Sequence, residues 1–242
     1  MSQNLIGADE TLFRIVETLA KTGPMGVTEV ARQLDLTKST AHRHLQTLDA
    51  NGYAINDDGT YRLSHQWFHL GSVVKSRGPF YHASRKPLEA LARRTDDTVW
   101  GSIEEGGQVM IVNGAGPHPT HNPDLLIGDW LPITKTASGK AMLARMSPAR
   151  AIDLIEQSDN RERSLADIQT ELEYTRSRGY AVNQGEHISG IYAIGMAVTV
   201  EDTIYGGLAL SSPSDALVTD RRDSAVASLS HAVDRIESKL AQ

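Results

Sequence analysis

Two amphipathic helical periods, set almost end to end, constrain this chain most. Val27, Val30, Ala31 and Leu34 share one face of a short segment, and Ala41, Leu45 and Leu48 share one face of the next. Only Asp35-Leu36 lies between the first segment and Thr37, a helix-opening residue. Residues 9–21 form an earlier helix, with Leu12, Ile15, Val16 and Leu19 at helical spacing and acids in the first turn. Thr22–Gly26 breaks it with Gly and Pro. After the third helix, Gly52 sits where a left-handed C-terminal residue belongs. Two β-prone runs, Tyr53–Ile55 and Thr60–Leu63, flank Asn56-Asp57-Asp58-Gly59 and predict a hairpin. Helix, helix, tight turn, helix and hairpin make a winged helix-turn-helix.

Burying Ala41, Leu45 and Leu48 turns Lys38, Ser39, Thr40, His42 and Arg43 outward. A helix start with free amides, hydroxyls and a cation suits phosphate oxygens, and Arg43, one turn on, is placed to reach a guanine edge. Arg62 on the hairpin would approach the backbone or minor groove of the same duplex. The competing reading is a three-helix domain that binds protein or dimerises. The net charge of −6 does not exclude nucleic acid. Residues 1–78 carry eight basic and eight acidic side chains, so the whole excess belongs to the remainder. Local potential, not total charge, governs such a contact, and a neutral module suits paired use.

The expected domains are 1–64 for the winged helix, 65–78 for a connecting helix and 79–242 for the rest. The connector carries Trp67, Phe68, Leu70, Val73 and Val74, too apolar for a loose tether, and is expected to pack on the same helix of a second copy. Beyond Gly78 the pattern is mixed. Helices are expected at 80–94, 139–146, 148–157, 164–178 and 220–240. Strands are expected at 98–103, 109–113, 180–182, 191–200 and 203–210, with a loop over 113–123. The class is α+β, a largely antiparallel sheet flanked by helices.

Several chemistries are excluded. With no cysteine there is no disulfide, thiolate nucleophile or Cys-bound metal. No apolar run approaches a membrane span, and no basic-then-apolar leader opens the chain, so a cytoplasmic location is expected. Ser138-Gly139-Lys140 resembles the end of a phosphate-binding P-loop, but Thr134 stands where its first glycine belongs and Ala141 where its magnesium hydroxyl belongs. His65 with His69, and His118 with His121 and Asp124, lack a third ligand at a convincing spacing, so no metal is expected. No cofactor is expected, and no enzyme activity. The alternative function is a DNA-independent sensor or cryptic enzyme that keeps the helix-turn-helix as an interaction module.

Three stretches, in order, carry a family resemblance. They are GPMGVTEVARQLDLTKSTAHRHLQTLDANGYAINDDGTYRL running into WFHLG, then LPITKTASGKAMLA, then RGYAVNQGEHISGIYAIGMAV followed by GLALSSP. The chain closely resembles the IclR family of transcriptional regulators. The resemblance implies a winged helix, a connecting helix and a GAF-like α/β effector-binding domain, acting as homodimers or homotetramers on palindromic operators in double-stranded DNA. It implies control of catabolic genes by small organic, often aromatic, acids. It carries DNA reading onto Thr28, Lys38, Ser39, Thr40 and Arg43. It carries effector binding onto Ala137, Ser138, Gly139, Asn183, Glu186, Ala193 and Ser211, with free amides of residues 137–139 holding a carboxylate. Trp100 and Trp130 are candidate stacking walls. The chain departs from the family pattern at Asp35, usually Gly, which tolerates a left-handed turn. It departs again at Asn183, Ala193, Ala197 and Ala209; losing polar groups at 193 and 209 favours a larger, partly apolar acid.

Overall fold

The computed structural model describes residues 5–116, 126–158 and 163–242. The chain separates between Val74 and Lys75 into two compact units.

In the first unit, α1 (Gly7–Thr22), α2 (Val27–Leu34) and α3 (Lys38–Ala50) enclose Ile15, Leu19, Val30, Ala31, Ala41, Leu45 and Leu48. All are positions that the helical periods select. Asp35 ends α2 in the left-handed region, at φ 53° and ψ 49°, and Leu36 N–H then closes the turn on Ala31 O at 2.8 Å. The wing differs in two ways from the hairpin expected. Its turn is two residues, Asp58 and Gly59, both left-handed, so Asn56 and Asp57 belong to β2 (Ala54–Asp57), paired with β3 (Thr60–Leu63). A third strand, β1 (Met25–Gly26), covers the other edge of β3. It arises from the Gly-Pro break, which turns the chain extended before α2. The connecting helix α4 (Gln66–Arg77) is anchored at its start, where Trp67 Nε1–H donates to Tyr53 O at 2.9 Å. No residue of α4 is buried, and Phe68 is 76% exposed.

The second unit is built on six antiparallel strands in the order β6-β5-β4-β9-β8-β7. They are β4 (Thr98–Glu105), β5 (Gln108–Ala115), β6 (Trp130–Pro132), β7 (Ala181–Gln184), β8 (Tyr192–Val200) and β9 (Thr203–Ser212). One face packs on α5 (Pro79–Thr95) and α9 (Arg222–Leu240), burying Phe80, Leu88, Leu229 and Ile236. The other carries α6 (Ala137–Arg145), α7 (Pro148–Gln157) and α8 (Leu165–Arg178), burying Met142, Leu143, Leu154 and Ile168. The α+β class is as expected. The loop expected over 113–123 starts later, because Trp100 pairs with Gly114 and Val99 with Ala115. Residues 117–123 of it, with His118 and His121, and Asp124 just beyond, lie outside the described residues.

Helix α6 sits unusually close to the sheet. A Cβ on Gly195 of β8 would fall 2.3 Å from the carbonyl carbon of Ala137, so only glycine admits the start of α6 there. That approach creates the site described next.

Candidate functional site

The first candidate surface is the exposed side of α3. Thr37 caps the helix, its Oγ1 accepting from Thr40 N–H at 3.1 Å and bonded to the hydroxyls of Ser39 and Thr40 at 3.0 and 2.8 Å. Ser39 and Thr40 are thereby tied to the cap. Lys38, Ser39, His42 and Arg43 are exposed, Thr40 is half-buried, and Lys38 and Arg43 have no ion-pair partner among the described residues. Thr28 is exposed in the first turn of α2. The cap there is Gly26, whose N–H donates to Glu29 at 2.9 Å. Arg62 is exposed on the wing, opposite Ile55. Unpaired cations beside a helix N-terminus present a surface suited to polyanion backbone, with Arg43 able to fork onto a base edge.

The second candidate is a cavity between the sheet and the start of α6. Trp100, Ile111, Ala193, Ala209 and Ser211 line it from the strands, Thr136, Ala137 and Ser138 from the start of α6, and Asn183 from β7. Leu126, Leu131, His187, Ile188 and Ile191 complete it. Its open space is about 730 Å³, mouth included. The walls are mostly apolar, and their hydroxyls are prearranged. Ser211 Oγ accepts from Trp100 Nε1–H at 2.8 Å, Ser138 Oγ from the Ser102 hydroxyl at 2.8 Å, and Thr136 Oγ1 from Gly139 N–H at 3.1 Å. A hydroxyl that already accepts from the protein has its own proton left to give. The amides of Ala137 and Ser138, first in α6, stand outside the helical ladder. Burial, and then nearby Lys135, hold the His187 imidazole below its ordinary value, which favours its neutral form. Among the described residues, no carboxylate lines the cavity. The chemistry is that of an apolar slot whose polar groups donate.

Three residues expected at this site, Gly139 and Glu186 by resemblance and Trp130 as a stacking wall, lie off its walls. Gly139 is buried beneath the cap, its N–H used by Thr136 Oγ1, so only the amides of Ala137 and Ser138 remain for a carboxylate. Trp130 is 43% exposed on edge strand β6, paired with Met110. Glu186 turns to Lys140, its carboxylate accepting from Nζ at 2.5 Å. Asn183 does line the cavity, but its amide holds the backbone. Its Nδ2 donates to Lys135 O at 2.5 Å, and its Oδ1 accepts from Gly185 N–H at 2.9 Å. Sequence reasoning passed over the apolar residues of the slot, Ile111, Leu126, Leu131, Ile188 and Ile191.

Lys140 is completely buried and binds two carboxylates, Glu186 and, at 2.7 Å, Glu171 on α8. Arg163 donates to Glu171 at 2.5 Å. Burial pushes the Glu171 carboxyl up, but Lys140 and Arg163 together pull it further down, below its ordinary value.

The family model described as the bacterial transcriptional regulator IclR C-terminal domain matches residues 73–238. The IclR helix-turn-helix domain model matches residues 11–58. The HTH-type transcriptional regulator KdgR of Escherichia coli strain K12 is 26% identical over 249 residues, covering 95% of this chain and 90% of that protein. An IclR transcriptional regulator from Alicyclobacillus acidocaldarius has a similar fold, with a TM-score of 0.79 at 20% identity over 98% of this chain and 99% of that one. An IclR homologue from Microbacterium hydrocarbonoxydans, crystallised with 4-hydroxybenzoate, gives a TM-score of 0.80 at 18% identity over 97% and 99%.

Proposed function

The chain belongs to the IclR family of bacterial transcriptional regulators, and from that premise we propose that it is a ligand-responsive, DNA-binding regulator of catabolic or metabolic genes. In this reading α3 enters the major groove. Lys38, Ser39, Thr40 and Thr28 engage phosphate, Arg43 and His42 face base edges, and Arg62 brings the wing onto the backbone. Two copies, joined through the exposed apolar side of α4 and acting in the cytoplasm, read the two halves of a palindromic site. The observation that carries the reading is the solvent-facing Lys38–Arg43 surface, its two cations without an ion-pair partner among the described residues, on one side of a helix whose other side is core.

The effector is a small organic acid bound in the cavity of the second unit. Its acceptor end meets the donors of Ser138, Ser211 and Thr136, and its apolar or aromatic body meets Trp100, Ile111 and Ile188. The 4-hydroxybenzoate held by the Microbacterium homologue has this division of character and is a suitable first probe. Effector binding shifts the population between settings of the two copies, so that the spacing of the α3 helices does or does not match the half-sites.

The test is binding of the purified chain, at fixed salt, to duplexes enriched from a random library. Replacing Arg43 with Ala should weaken the best duplex by about 1–3 kcal/mol and relax its preference at one base pair. Unchanged affinity and preference would refute the role of Arg43.

A further inference from the structure

The outer wall of the cavity is a loop, and the contacts that hold it are few. Residues 185–191 join β7 to β8, and His187, Ile188 and Ile191 line the cavity from it. Gly185 and Gly190 stand near its two ends with φ of 88° and 80°. Asn183 Oδ1 accepts from the N–H groups of Gly185 and Glu186 at 2.9 and 3.3 Å, and Ile191 N–H donates to Ile188 O at 3.1 Å. Among the described residues, the loop's one ion pair is Glu186 with Lys140.

That pair is part of a closed set of charges. Lys140 sits on α6, next in sequence to Gly139 and two residues past the cavity-lining Ser138. Its ammonium, shut off from solvent, is shared by Glu171 of α8 and Glu186 of the loop. Glu171 is in turn shared with Arg163. Two cations meet two carboxylates, so the set is neutral. A buried ammonium needs full compensation. Arg163 draws on Glu171, so Glu186 must supply the balance, and Glu186 brings the cavity wall with it.

We propose that Lys140 is a positioning residue for the effector cavity: by binding Glu186 it latches the 185–191 loop as the cavity's outer wall, and through Glu171 it ties that wall to α8. This rests on reading the cavity as the effector site. Entry and release of an effector past His187 and Ile188 then require the latch to loosen, which makes it the control on how long the effector stays. A bare Glu186 carboxylate beside His187 would also repel an acid; pairing with Lys140 neutralises it.

Hydrogen exchange of the unliganded full chain, read by mass spectrometry, tests the latch without any effector. In Glu186→Gln the amides of residues 185, 186 and 191 should exchange about tenfold faster while β8 and β9 keep their protection, since one charge-assisted hydrogen bond is lost locally. Lys140→Met should do the same. Glu171→Gln, which leaves Lys140 with Glu186, should loosen α8 and not the loop. With 4-hydroxybenzoate as probe, dissociation from Glu186→Gln should be about tenfold faster, which loss of one such bond allows. A loop in Glu186→Gln as protected as in the unaltered chain would overturn the proposal. So would a loop loosened equally by Glu171→Gln. If the loop loosens as expected but the unaltered chain binds no 4-hydroxybenzoate, the latch stands and the choice of aromatic acid falls.

Discussion

Gly139 offers the sharpest test of how the cavity is built. A Cβ at this position would lie 2.2 Å from Ile133 O, 2.5 Å from Thr136 Oγ1 and 2.9 Å from Ile133 C, all inside the 3.0 Å that real Cβ atoms keep. Two of these neighbours are backbone atoms of a 3₁₀ turn (Ile133–Lys135), so no rotamer change relieves the overlap. Gly139→Ala must therefore push α6 away from the turn or break the Thr136 cap. Overpacking of a filled site costs about 1–3 kcal/mol, and a lost cap about 1 kcal/mol more. The second unit should lose about 2–4 kcal/mol, which lowers its melting temperature on the order of 10 °C. Hydrogen exchange across a urea series separates the units: α6 and β8 should lose protection while α1–α3 keep theirs. Gly195→Ala, which meets Ala137 from the sheet side, should behave alike. Gly71→Ala is the control of opposite sign. It stands in α4 with nothing within 4 Å of its added methyl, and should gain about 0.5–1 kcal/mol. A Gly139→Ala chain with an unaltered urea midpoint and unaltered α6 exchange would refute this account of the site.

Three further outcomes follow from the same geometry. Ser211→Ala takes the acceptor from the Trp100 indole and a donor from the cavity; it should cost about 1 kcal/mol and weaken acid probes in calorimetry, and equal probe affinity would remove Ser211 from the site. Glu171 titrates below its ordinary 4.5, so its contribution is present above that value and is lost as pH falls through the depressed one. Acid unfolding should accordingly be shallower in Glu171→Gln, and identical pH slopes would show the network to be neutral in stability. Phe68→Ser on the exposed side of α4 should convert a dimer to a monomer in light scattering, whereas an unchanged mass would place the contact between copies elsewhere.

The first unit was largely legible along the chain because its determinants are local. Helical spacing selects Ile15, Val30, Ala41 and Leu45 as core, and Asp35 takes the left-handed turn that the departure from glycine called for. Ser164 caps α8 through local partners alone, its hydroxyl oxygen accepting from Asp167 N–H at 3.1 Å and donating to the Asp167 carboxylate at 2.6 Å. The signals failed where an element is short. The two residues of β1 and the three of β6, Pro132 among them, are too few for a period and exist because a neighbouring strand offers an edge.

The cavity was legible only in part. Trp100, Ala137, Ser138, Asn183, Ala193 and Ser211 do meet on its walls, from strands and a helix spread over more than a hundred residues. Glu186 lies within a matching stretch and Trp130 just before one, but both point elsewhere, and nothing in the local sequence tells a wall residue from its neighbour.

What the amino-acid order determined by itself was the set of helices, the donor-rich side of α3, and the class of the second unit, because each depends on spacing within one turn or one strand. Tertiary structure alone decided what Lys140 is for. Its partners stand 31 and 46 residues away, and a buried ammonium takes whichever carboxylates the packing of α6, α8 and the β7–β8 loop brings within reach.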